Sequence, residues 1–261
     1  MMGVAMLRLL LLILVCSLPL RAEVVVRACG GEGEWIPSSY FKRLNGSKTA
    51  EVAGYSPDVL RAALQGSAYR VEFALLPWLR CQREVEQGQR FQLAMGMLHS
   101  PERARLYRFS DAYLRFQPGY FYLHRRYPQG LQIRQLDELS RYKVCGLYGY
   151  NYGFTRLRPE QMDNGALDYP AAMAKLAFGR CEILIETLEV MAGQRRLGRL
   201  AYDADLLRGR PLPETPPVVA HFAVSPQMAD ADTFLRVLNA GLARLQRERK
   251  LEAILRMHTS P

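Results

Sequence analysis

Over residues 23–96 the chain switches repeatedly between two hydrophobic periods, and this limits its fold more than any other feature. Glu23-Val-Val-Val-Arg-Ala28 is a β-branched run suited to a buried strand. Gly54-Tyr-Ser-Pro57-Asp58 leads into Val59-Leu60-Arg-Ala-Ala-Leu64, whose apolar spacing and early proline predict a helix. Residues 69–75 alternate as a strand does, and 78–86 read as a helix stopped by Gln87-Gly88. Phe91-Gln-Leu-Ala-Met-Gly96 is another short strand. Strand, helix, strand, helix, strand implies an α/β layer with a largely parallel sheet.

The rhythm returns downstream. Strands are expected at 142–147 and 181–185, and helices at 170–177 and from Leu188 to Gly193. Between the two blocks, 113–124 is extended, and so is 217–224 after the proline-rich 211–217. One long amphipathic helix is expected from about Ala231 to Met257. The glycine-rich stretch from Cys29 to Pro37 has neither P-loop nor Gly-x-Gly-x-x-Gly spacing, so it offers no phosphate cradle.

Residues 1–22 read as a cleavable secretion signal. Arg8 precedes the apolar run Leu9–Val15, and Ala22 supplies a small residue at the cleavage point. That run is too short to span a bilayer comfortably. A lipoprotein reading of Cys16 is disfavoured by Val15 in front of it. Cleavage removes Arg8 and Arg21, leaving 33 basic against 25 acidic residues, a surplus of eight carried mainly by arginine. These arginines are scattered along the chain, which suits a solvated surface and argues against nucleic-acid binding.

Cys29, Cys81, Cys145 and Cys181 remain after cleavage. An even count in an exported chain favours two disulfides, and three pairings are possible. His99, His124, His221 and His258 lack metal-ligand spacing, so neither a zinc site nor any cofactor is expected.

Several segments stand in one order: Gly54-Tyr55 with Asp58; Leu76-Pro77-Trp78; Ser100-Pro-Glu-Arg103 ahead of Phe109-Ser110; Leu136-Asp-Glu-Leu139; Gly149-Tyr150-Asn151; Leu176-Ala-Phe-Gly179; and Arg249-Lys-Leu-Glu-Ala-Ile254. As an ordered set they resemble the family 3 periplasmic solute-binding proteins, the polar amino-acid receptors of ABC importers. The resemblance spans essentially the whole chain after the signal. It implies a two-lobed periplasmic binding protein fold, each lobe a sheet flanked by helices, joined by crossovers at 113–124 and 217–224. Lobe one would hold residues 23–117 plus 218–261, and lobe two 118–217. It also implies the pairings Cys29–Cys81 and Cys145–Cys181, each within one lobe.

In this resemblance Arg103 binds the ligand carboxylate, for which a guanidinium offers a planar fork of donors. Trp78 would be an apolar wall of the pocket and Trp35 an aromatic cover. Both fall on loops at the carboxyl ends of expected strands, where open α/β sheets bind ligands. Gly149-Tyr150 stands where relatives open a carboxylate-binding helix with Gly-Ser or Gly-Thr. Thr187 is closest by spacing to the family's ammonium-binding aspartate, and Glu186 is the neighbouring carboxylate. Leu98 and His99 replace hydroxyl residues beside the arginine, and Gln92 replaces an aspartate. A pocket rich in Trp and Tyr suits a modified, aromatic or otherwise atypical ligand better than a standard polar amino acid.

The resemblance therefore implies a monomeric, non-catalytic periplasmic receptor that closes on a small amino acid-like solute and is read by an ABC permease or a membrane sensor. One alternative is an enzyme on the same scaffold, similar to cyclohexadienyl dehydratase, with Glu182, Glu186 or Glu189 as general acid. Another is a relative that has lost its ligand and serves as an interaction module.

Overall fold

The computed structural model describes residues 23–200 and 206–259; the expected secretion signal and Cys16 lie outside them. Two mixed sheets divide the chain. In the first, β1 (Val24–Gly31) lies between β4 (Tyr69–Leu76) and β5 (Leu93–Leu98), and both pairings are parallel. On the far side of β5, β13 (Val218–Val224) runs antiparallel and carries β6 (Arg108–Phe109) and β7 (Leu114–Phe116) on its other edge. The helices α1 (Tyr55–Ala63), α2 (Trp78–Gln87), α6 (Ala231–Arg247) and α7 (Lys250–Thr259) flank this sheet.

The second sheet repeats the plan. Its parallel part is β10 (Met162–Ala166), β9 (Val144–Leu147) and β11 (Ile183–Thr187). β8 (Pro118–Leu123) pairs antiparallel with β11, and β12 (Leu207–Pro211) with β8. The helices α4 (Tyr169–Ala177) and α5 (Leu188–Arg196) cover it.

The chain passes between the sheets twice. Most of 113–124 is strand on one side or the other, so the first passage narrows to Gln117, between β7 and β8. The extended run 217–224 is β13 itself, so the second passage precedes it, at 212–217.

Local chemistry accounts for most elements. β5 is almost wholly buried because helices cover both faces of the parallel part, which suits its run Leu-Ala-Met-Gly-Met-Leu. α1 buries Val59, Leu60 and Ala63 on one face, with Asp58 and Arg61 paired on the other. α2 ends at Gly88, whose φ of 70° takes the left-handed conformation favoured after a helix. The two disulfides are Cys29–Cys81, tying β1 to α2, and Cys145–Cys181, tying β9 to the entry of β11.

Three elements differ from expectation. β2 (Tyr40–Leu44) and β3 (Ser47–Ala53) form a hairpin around Asn45-Gly46, both at positive φ, in the loop region before α1. The long terminal helix is broken into α6 and α7 at Arg249, which sits at φ 55°. No α-helix opens after β9: the chain turns at 148–152, and only two three-residue 3-10 segments follow, at Gly153–Thr155 and Pro159–Gln161.

Candidate functional site

The carboxyl ends of β1, β4, β5 and β9 converge on one cavity. It is lined by Gly31, Trp35, Ser39, Trp78, Met95, Gly96, Leu98, Arg103, Tyr150 and Asn151, and holds about 410 Å³ of empty space including its mouth. Gly31 ends β1, Trp78 opens α2 directly after β4, Met95–Leu98 close β5, and Tyr150 and Asn151 follow β9. Strand ends are where an open parallel sheet leaves space for a ligand.

Arg103 is set by local chain chemistry. Ser100 caps the short helix α3 (Pro101–Ala104), its hydroxyl accepting from the Arg103 backbone N–H at 3.3 Å, with Pro101 in the first turn. The guanidinium donates to the Leu98 carbonyl at 3.0 Å and, across the cleft, to the Gly149 carbonyl at 3.2 Å. Two of its five N–H donors are so used, which leaves three. No carboxylate among the described residues pairs with it. Burial pulls its pKa below the ordinary value, with Tyr107 and Glu102 opposing that shift. It remains a cation, half withdrawn from water and facing a cavity.

The aromatic walls are placed by close backbone approaches. Trp35 lies over Gly96, where any side chain would meet the indole ring, and packs on Phe116 at 4.4 Å between centroids. Trp78 and Leu79 approach Gly149 so nearly that a Cβ there would collide with Leu79. Gly149 also has φ 77°, so glycine answers both demands.

Of the six residues singled out as ligand-binding, Arg103, Trp78, Trp35 and Tyr150 line this cavity. Glu186 and Thr187 do not. Glu186 is buried near the end of β11, its Oε2 accepting from the Tyr169 hydroxyl and its Oε1 from the Thr187 backbone N–H, both at 2.8 Å. Burial raises its pKa, and these donors, with the nearby Trp35 indole, only partly oppose that. The indole N–H approaches without completing a hydrogen bond. Tyr150 stands beside Glu186 and Tyr169, and burial raises its own pKa. Thr187 caps nothing, and its hydroxyl is buried without a partner.

The other acids considered are committed elsewhere. Glu182 accepts from Arg126, Tyr127 and the Lys143 backbone N–H, at the opposite end of β11. Glu189 accepts from the Gln117 backbone N–H with both oxygens. None of Glu182, Glu186 and Glu189 reaches the cavity wall. The α-helix expected to open beyond Gly149 does not form; the chain there turns and makes only 3-10 segments. Ser39, Met95, Gly96 and Asn151 are lining residues that sequence reasoning passed over. For Met95 and Gly96, their place at the carboxyl end of an expected strand was the available signal. Among the described residues, no group of three His, Cys, Asp or Glu could hold a metal ion.

Other contacts cross between elements of the two sheets. Gln194 of α5 donates to the carbonyls of Gly33 and Glu34, and Gly193 packs directly on Ile36. The buried Glu34 carboxylate pairs with Arg43 at 2.8 Å and with Arg199, which follows α5.

A family model described as bacterial extracellular solute-binding proteins, family 3, matches residues 28–260. The chain belongs to that family. No curated protein matches the sequence. Solved structures of like fold include an ABC uptake transporter substrate-binding protein from Streptococcus pneumoniae with bound histidine, at 12% identity and TM-score 0.71, covering 91% of this family 3 chain and 93% of the other. A histidine kinase sensor domain similar to periplasmic binding proteins has 20% identity and TM-score 0.72, covering 91% and 97%. An ancestral amino acid-binding protein, a precursor of cyclohexadienyl dehydratase, has 16% identity and TM-score 0.69, covering 90% and 96%. At these identities the likeness bears on the fold of this solute-binding protein.

Proposed function

We propose that this family 3 protein is an exported, monomeric receptor that captures a small carboxylate-bearing solute, an amino acid or a relative of one, between its lobes. Residues 23–117 with 218–261 would form one lobe and 118–217 the other. The closed form would be read in the periplasm by an ABC permease or a membrane sensor. The observation that carries this reading is Arg103: a guanidinium with three uncommitted donors, without an acid partner among the described residues, on the wall of an aromatic-lined cavity. The importer protein with bound histidine and the kinase sensor domain supply precedents on this fold for the two kinds of partner.

Trp35 and Trp78 are the chain's only tryptophans, so intrinsic fluorescence reports on the cavity directly. Protein unfolded and refolded to remove carried-over solute should show a fluorescence change and a raised Tm with one class of small carboxylates. Both responses should need much higher solute concentration in Arg103→Ala. A flat response across amino acids, amines and carboxylates would favour the interaction-module reading.

The buried Glu186 with its raised pKa, on a fold shared with a dehydratase precursor, gives the enzyme reading its support. Consumption of prephenate or arogenate by purified protein, lost in Glu186→Gln, would establish it.

A further inference from the structure

Resting on the carboxylate reading of Arg103, we propose that the cleft selects a compact carboxylate with an apolar or aromatic body and no free ammonium, in preference to a zwitterionic amino acid. The lining holds one cation, Arg103, and no Asp or Glu. The remaining wall is Trp35, Trp78, Met95, Leu98 and Tyr150, with Ser39 and Asn151 as the neutral polar groups.

Among the described residues, the buried or half-buried acids of the elements around the cavity, Glu186, Glu189 and Glu34, are already engaged. Glu186 keeps both oxygens on Tyr169 and the Thr187 backbone, and it is 4% exposed, outside the cavity lining. Glu189 is held by Gln117, and Glu34 by Arg43 and Arg199. The other residue expected to meet an ammonium, Thr187, is neutral and buried. An ammonium entering this cavity would lose water and gain no counter-charge from the lining residues, while a carboxylate would gain the free donors of Arg103. The indole and phenol faces suit an apolar body.

Matched pairs that differ only in the amino group test this on the unaltered, ligand-stripped protein. The pairs are 3-phenylpropionate against L-phenylalanine, indole-3-propionate against L-tryptophan, and 4-methylpentanoate against L-leucine, followed by tryptophan fluorescence and calorimetry. The expected result is tighter binding of at least one deaminated partner by on the order of 10- to 100-fold, the cost of an unpaired buried charge. That binding should be weakened in Arg103→Gln, whose fold is checked by circular dichroism. Equal or tighter binding of the amino acids, still dependent on Arg103, would overturn this selectivity and leave the solute-binding reading intact. Binding that ignores Arg103, or no binding by any member, would overturn both.

Discussion

Arg103 keeps three N–H donors that neither the Leu98 nor the Gly149 carbonyl takes up, and among the described residues no acid forms an ion pair with it, Glu102 offsetting its burial only in part. Charged hydrogen bonds contribute about 1.5–3 kcal/mol each. Arg103→Ala is therefore expected to weaken carboxylate binding by about 10- to 150-fold, read as Kd by calorimetry. Glu186 makes a second prediction, of opposite sign from the usual salt-bridged acid. Its pKa is raised in the folded protein, so the native state holds the proton more tightly than the unfolded chain. That imposes no cost in acid, below about pH 4, and a growing one as pH rises from the unfolded value through the folded one. The Tm of Glu186→Gln relative to the parent should accordingly climb as pH is raised from about 4 to 8, by thermal melts across buffers. A constant difference would mean that the carboxyl is not penalised by burial. Arg103 was legible in the sequence through the motif Ser100-Pro-Glu-Arg103 and its spacing to Phe109-Ser110; the structure adds that Ser100 and Pro101 set its helix within three residues. The failure of Glu186 and Thr187 to line the cavity was not legible: neighbouring strand residues point to opposite faces, and sheet packing decides what each face meets.

At the scale of elements, the α/β alternation was readable because each strand and helix carries its own period, and β1, α1, β4, α2 and β5 all form where expected to within two residues or so at most boundaries. The β2–β3 hairpin had a readable signal in Asn45-Gly46 that the coarser pattern obscured, since its strands are mostly polar or exposed. The break between α6 and α7 had none: Arg249 adopts φ 55° in a stretch with no Gly or Pro. β12, Leu-Arg-Gly-Arg-Pro, is exposed along most of its length and owes its strand state to pairing with β8. The disulfides supply a test at this scale. Cys29–Cys81 closes a separation of 52 residues, so replacing both by Ala should cost about 2–4 kcal/mol, measured by urea unfolding under oxidising conditions. Loss of β1–α2 anchoring should also blunt any ligand response, because Gly31 and Trp78 lie at the ends of the tied elements.

Across the whole molecule, the cavity exists because two sheets bring their strand ends together. Two contacts between elements of the two sheets, Gly193 on Ile36 and Gly149 on Leu79, leave no room for a side chain. Gly193→Ala should raise the helix propensity of α5 by about 1 kcal/mol yet hold the sheets apart. The expected outcome is a larger radius of gyration in solution scattering with saturating ligand, and several-fold weaker binding without loss of Tm. Unchanged scattering and affinity would mean that the Ile36 contact does not limit closure. The chain's own order of residues determined the alternating α/β plan and the motif Ser100-Pro-Glu-Arg103 that singles out Arg103, because each is written in neighbours a few positions apart. Only tertiary structure decided that Trp35, Trp78, Arg103 and Tyr150 share one cavity, that Glu186 is sealed away from it, and that Ser39 and Asn151 complete its wall. Those facts rest on the packing of segments up to 120 residues apart, such as Gly31 and Asn151, and the spacing along the chain carries no measure of that distance.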